Sequence, residues 1–115
     1  AAAQRALVVT TPDMVCARDA QIVSHLLFSQ GLPSRLIINR LRPSLVMKGI
    51  MPDVDEIIDT AGLQLIGILP EDHQVAVANA GGRPLPADCN ASACFDNIAR
   101  RFLGEDVPLA RLENM

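Results

Sequence analysis

Leu36-Ile37-Ile38-Asn39-Arg40-Leu41-Arg42-Pro43 is the stretch on which the fold turns. Three aliphatic residues run without a polar break and then give way to an amide and two guanidiniums. A short apolar run of this kind reads as a strand buried on both faces, as in parallel sheets. Two further segments repeat the arrangement: Arg5 to Val9, apolar from Ala6 onward, meets Thr10-Thr11-Pro12, and Leu65 to Leu69 meets Pro70-Glu71-Asp72. If the three strands run in the same direction, their polar ends, with Thr11, Asn39 and Pro70, share one rim. In open α/β sheets that rim is where ligands bind.

Helical patterns separate and follow these strands. Val15 to Gln30 places Ala20, Val23 and Leu27 on one face, with Ile22 and Leu26 beside it. Gly31 is suited to end that helix and Pro33 prevents its continuation. Residues 40–52 read as an extended, irregular loop. Asp53 then begins a second helix, with Glu56 placed to complete a capping box; Val54, Ile57, Ile58 and Ala61 follow helical spacing, and Gly62 stops it. A helical segment is expected around Gln74 to Asn79, and Gly81-Gly82-Arg83-Pro84 reads as a turn. Ser92 to Leu103 forms an amphipathic helix whose stripe of Phe95, Ile98, Ala99, Phe102 and Leu103 is expected to be core. The stretch 105–115 has no clear period and reads as a flexible tail.

Alternation of strand and helix predicts an α/β fold, a three-layer parallel sheet flanked by helices, in a single domain over 1–115. With three strands, both outer strands are edges. Such edges invite pairing with another copy or with another part of a parent protein.

Composition narrows the function. Half of the 115 residues are hydrophobic and 3% are aromatic, so Val, Ile, Leu and Ala must fill the core. A net charge of −3 provides no electrostatic case for nucleic acid. Arg40, Arg42, Arg100 and Arg101 make only small local clusters. Of the three cysteines, Cys89 and Cys94 lie five apart, and His25 and His73 are remote, so no zinc spacing emerges. Reduced structural thiols in a cytoplasmic protein fit that pattern. No apolar run approaches the roughly 18 residues of a membrane span. No glycine-rich phosphate loop occurs anywhere in the sequence.

Several segments resemble, in order, the MinD-type cell-division ATPases. They are Ala6-Leu7-Val8-Val9-Thr10-Thr11-Pro12-Asp13 with Arg18-Asp19-Ala20, then Ile38-Asn39-Arg40-Leu41-Arg42-Pro43 with Gly49 and Met51. Leu65-Ile66-Gly67-Ile68-Leu69-Pro70-Glu71-Asp72 and Asn97-Ile98-Ala99-Arg100-Arg101-Phe102-Leu103-Gly104 follow. Partition ATPases and nitrogenase-iron-protein-like ATPases share the fold but match these motifs less closely. The resemblance implies half of a doubly wound P-loop NTPase fold, the C-terminal half. The intact parent would bind ATP and magnesium, dimerise, and act with regulatory proteins in placing the division septum. It would be cytoplasmic and peripheral to the inner membrane through an amphipathic tail not found before Met115. This chain is not expected to bind ATP tightly or to hydrolyse it, because phosphoryl transfer needs the phosphate cradle and the metal. No catalytic residue and no metal ligand is assigned.

Asn39 offers an amide donor and acceptor, chemistry that suits the exocyclic amine and ring nitrogen of adenine. The plainer alternative is an amide bonding nearby backbone; the resemblance implies base recognition. Arg40 could stack on a base or pair with a carboxylate. Pro70, Glu71 and Asp72 form a rigid acidic turn that the resemblance sets on the adenine-ribose side; a helix N-terminus would favour the same acids. Asp19 is implied to lie on a dimer or partner face, against the alternative of a solvated charge paired with Arg18 or a residue one turn away. Two other functions also fit the residues: a self-associating interaction module without nucleotide chemistry, and a segment of a partition-type ATPase.

Overall fold

β2 (Ser34–Leu41) lies at the centre of a three-stranded parallel sheet, between β1 (Ala6–Thr10) and β3 (Leu65–Pro70), in a computed structural model that describes residues 5–86 and 90–105. β1 and β2 stay in register from Ala6 opposite Ser34 to Thr10 opposite Ile38. β2 and β3 do not. Leu36 faces Leu65 and Ile37 faces Gly67, so β3 carries an extra residue there; Ile38 faces Ile68 and Leu41 faces Pro70, so β2 carries one at its end. The second irregularity falls on Asn39 and Arg40.

Burial follows the strand alternation. Leu36 and Ile38 join Val8 and Leu41 on one face, against Ala17 and Ala20 of α1 (Met14–Ser29) and Ile57 and Ala61 of α3 (Val54–Ala61). Ile37 points the other way and clusters with Ile66, Leu69, and Cys94 and Ile98 of α5 (Asn90–Phe102). The expected three layers therefore form around the sheet. Each fully buried aliphatic side chain contributes about 1.5–3 kcal/mol, and β2, buried on both faces, carries the largest share per residue.

The two faces are covered unequally. α5 packs over β3 and leaves β1 open on that side, where Leu7 is 40% and Val9 56% exposed. Gly67 explains the close approach of α5: a Cβ there would run into the Ile98 side chain, with Ile98 Cδ1 only 2.7 Å away.

Several boundaries differ from the sequence expectation, each for a local reason. The 40–52 loop contains a short helix, α2 (Pro43–Met47). Pro43 occupies its first turn, where a missing N–H costs nothing, and Arg42 takes the extended conformation favoured before proline. α1 buries Ala17, Ala20 and Ser24, with Leu27 packed at the edge, whereas Val23 is 45% exposed. Small residues let the helix sit close to the sheet, and Val23 falls outside that narrow contact. On α5 the buried positions are Ala91, Cys94 and Ile98; Phe95 and Ala99, and Leu103 just beyond the helix, are exposed and do not join the core. The capping of α3 by Asp53 forms, its side chain accepting the Glu56 N–H at 2.8 Å. α4 (His73–Gly81) extends slightly beyond the expected segment and ends at Gly82 in the left-handed region. Cys89 and residues 106–115, with most of the expected tail, lie outside the described residues.

Candidate functional site

The carboxyl ends of β2 and β3 are shaped by the irregularity at Asn39 and Arg40. Arg40 adopts φ +62°, the one non-glycine residue with positive φ among the described residues. An arginine is uncommon there. Bulges of this kind redirect side chains at sheet rims. The conformation is held by the Glu71 N–H donating to the Leu41 carbonyl at 2.9 Å, and by Arg40 Nη2 against Glu71 Oε1 at 3.2 Å. Arg42 Nε approaches the other Glu71 oxygen at 3.5 Å. Glu71 thus answers both cations of the Asn39–Pro43 turn. All three side chains are substantially solvated, so these pairs set geometry more than stability.

Asp72 caps α4, accepting the Gln74 N–H at 2.8 Å through one oxygen. Its other oxygen accepts the Ala91 N–H at 3.3 Å, in the first turn of α5. One carboxylate therefore ties the starts of two helices together. Its acceptors are committed to backbone, and its part in the site is to fix the wall.

Between these elements lies a cavity of about 310 Å³. Asn39, Arg40, Pro70, Glu71 and Asp72 all line it. Val75 and Asn79 of α4, and Phe95 of α5, complete it. Phe95, whose helical spacing predicts a core position, is instead 48% exposed and supplies an aromatic surface to the cavity. The Asn39 side chain is half-buried and makes no hydrogen bond among the described residues. The alternative of an amide bonded to nearby backbone is therefore not realised.

A second cavity of about 290 Å³ adjoins the first, since Arg40 and Glu71 line both. Thr11, Pro12 and Asp13 form its other side. Thr11 Oγ1 donates to Asp13 Oδ2 at 2.7 Å, while Asp13 Oδ1 accepts the Cys16 N–H at 2.8 Å and caps α1. These bonds, the backbone one foremost, hold the Asp13 carboxyl below its ordinary value of 3.8. Thr11, Asn39 and Pro70 thus lie along one rim of the sheet.

Asp19 stands apart, lining neither cavity. It is exposed on α1 and makes no ion pair among the described residues, with Arg18 or otherwise. His25 and His73 are exposed, and no cluster of potential metal ligands occurs among the described residues.

Sequence comparison matches this chain across nearly all of its length. It is 42% identical over 112 residues to the septum site-determining protein MinD of Synechocystis sp., covering 94% of this chain and 42% of that protein. The chain is a homologue of MinD. The MinD of Bacillus subtilis is likewise 42% identical over 115 residues, covering 96% of this chain and 43% of that protein. The MinC:MinD cell division protein complex of Aquifex aeolicus superposes with a TM-score of 0.89 at 35% identity, over 95% of this chain and 46% of the solved one. A MinD from Pyrococcus horikoshii, solved with Mg-ADP, shares the fold at 22% identity and a TM-score of 0.76, over 86% of this chain and 41% of that one. No protein-family model matches the chain. The chain spans less than half the length of the curated MinD proteins it matches. The parallel α/β sheet is that of the MinD ATPases, as the resemblance implied.

Proposed function

We propose that this chain supplies the adenine side of a MinD-type ATP site, and that the whole protein acts in placing the division septum. One observation carries the reading. Five residues from two strand ends, Asn39, Arg40, Pro70, Glu71 and Asp72, line a single cavity on the ligand-binding rim of a parallel sheet. Its volume is at the lower end of the roughly 300–1,000 Å³ range of small-molecule sites.

The residues fit a purine. Asn39 has an unengaged amide able to donate to a ring nitrogen and accept from an exocyclic amine. Pro70 and Phe95 offer apolar surface to a base face. Arg40 can remain on Glu71 while turning its guanidinium plane toward a ring. Glu71 and Asp72 are occupied, so their proposed role is to shape the adenine-ribose side. When bound, ATP with magnesium would supply the phosphoryl chemistry; the cavity is assigned to the base because its lining sets an amide beside apolar surface.

The exposed and unpaired Asp19 is proposed to face a second copy or a regulatory protein of the whole assembly, at the inner membrane surface. A MinC:MinD complex is among the similar structures.

Titration of the ¹⁵N-labelled chain with adenosine tests the base assignment. Adenosine should perturb the amides of Asn39 and Glu71 weakly but saturably, with guanosine much weaker, and Asn39→Ala should abolish the difference. Equal response to both nucleosides, or perturbation confined to other residues, would defeat it.

A further inference from the structure

The amino ends of the strands, opposite the nucleotide rim, hold a larger cavity of about 450 Å³. Arg5, Arg35 and Arg101 line it, together with Ser34, Gln64 and Phe102. Arg5 enters β1, Arg35 is the second residue of β2, and Arg101 sits in the last turn of α5. Three of the ten Lys and Arg residues of an acidic chain therefore meet at one opening. Among the described residues no carboxylate lines it, and Arg5 and Arg35 take part in no ion pair.

Like charges repel unless something holds them, and two of the three are visibly held. The Arg5 guanidinium stacks on the Phe102 ring, 4.3 Å from its centre. Arg101 Nε donates to the Ile66 carbonyl at 2.7 Å, and its Nη2 reaches toward Leu65 at 3.5 Å. Arg35 differs. Its Nε is buried and has no hydrogen-bond partner among the described residues. A buried guanidinium N–H without an acceptor is costly and rare, and here it belongs to a residue that lines a cationic cavity.

We propose that this cavity is a second ligand site, one that takes a phosphate-type oxyanion such as inorganic phosphate or a phosphate monoester. The planar fork of a guanidinium matches two oxygens of such an anion, and Arg35 Nε with one terminal nitrogen would gain the missing acceptor. Arg5, held on the Phe102 ring, adds a second cation, and Arg101 lines the same opening. The Ser34 hydroxyl and Gln64 amide are neutral donors able to serve the remaining oxygens. The site is independent of the adenine cavity, which lies at the other ends of the same strands.

The test is a titration of the ¹⁵N-labelled 115-residue chain with inorganic phosphate, read at the arginine side-chain Nε–H signals, with sodium chloride adjusted to constant ionic strength. Arg35 and Arg5 signals should shift saturably with phosphate. Arg35→Gln should weaken the affinity by at least about tenfold, and Arg5→Gln by several-fold. Adenosine should leave these signals in place, so the two sites succeed or fail separately. Linear, non-saturating shifts, the same shifts with chloride alone, or saturation only at Arg40 and Arg42 would overturn the proposal. If Arg35→Gln does not fold, Arg5→Gln and the unsubstituted chain's shift map still decide the matter.

Discussion

The two ends of the sheet use arginine in opposite ways. At the carboxyl ends, Arg40 and Arg42 converge on Glu71, whose two oxygens receive them at 3.2 and 3.5 Å. Glu71 offsets one of the two charges and holds both guanidiniums in place, and the group left without a partner among the described residues is the neutral amide of Asn39. At the amino ends, Arg5, Arg35 and Arg101 line a cavity that no carboxylate among the described residues lines. There Arg5 and Arg35 make no ion pair among the described residues, and Arg5 and Arg101 are positioned by a ring and by backbone carbonyls. The first arrangement suits a polar, uncharged heterocycle; the second suits an anion. Counting arginines does not distinguish them, because the difference lies in what each guanidinium faces.

Gly67→Ala should disturb both ends at once and have the largest effect. The new methyl group collides with Ile98, so α5 must shift, which strains the Asp72–Ala91 bond at one end and the Arg101–Ile66 bond at the other. Overpacking of this kind costs about 1–3 kcal/mol. Urea unfolding should show the loss, and both ligand responses should weaken together. Unchanged stability would mean that α5 is not pressed against β3.

Asp72→Ala should act on the carboxyl end alone. It removes the cap of α4 and its tie to α5, at a cost of about 1–2 kcal/mol. The adenosine response should fall, while phosphate shifts at Arg35 persist.

Asp13 sets a pH dependence on the same rim. Its folded pKa is held down, so its contribution is fully present above the ordinary value of 3.8 and is lost as pH falls through the depressed folded value. Urea midpoints measured between pH 7 and pH 3 should fall at the acid end, and Asp13→Asn should flatten that part of the curve. The substitution itself should cost about 1 kcal/mol or less at neutral pH.

Glu71→Gln sharpens the comparison most directly, with the smallest change in stability. Exposed pairs of this type contribute about 0–1 kcal/mol. Removing the carboxylate leaves Arg40 and Arg42 unpaired and makes the carboxyl end resemble the amino end. Phosphate should then shift the Arg40 and Arg42 Nε signals, which it should not do in the original chain.

Much of the architecture is legible in the sequence. Ile57 and Ala61 fall on the buried face of α3, and Asp53 caps it, because helical period and capping chemistry are local properties. α1 was less legible. Val23 shares a face with Ala20 in the periodicity, yet close contact with the sheet is made by Ala17, Ala20 and Ser24. Phe95 shows the same limit: its spacing marks the apolar stripe of α5, but α5 lies mainly over β3, so Phe95 falls outside the core and lines the rim cavity. The site residues named from their position at strand ends do line one cavity, whereas Asn79 and Phe95 carried no signal of their own beyond helical spacing.

Sequence alone determined the strands, the parallel order of strand and helix, the caps and the polar strand endings, because each depends on neighbours a few residues away. Tertiary structure decided which charges meet. Arg40 and Glu71 are 31 residues apart, and Arg5, Arg35 and Arg101 are drawn from three separate elements. Electrostatic pairing depends on distance in space, and only the packing of β2 between its neighbours, with α5 laid across β3, sets those distances.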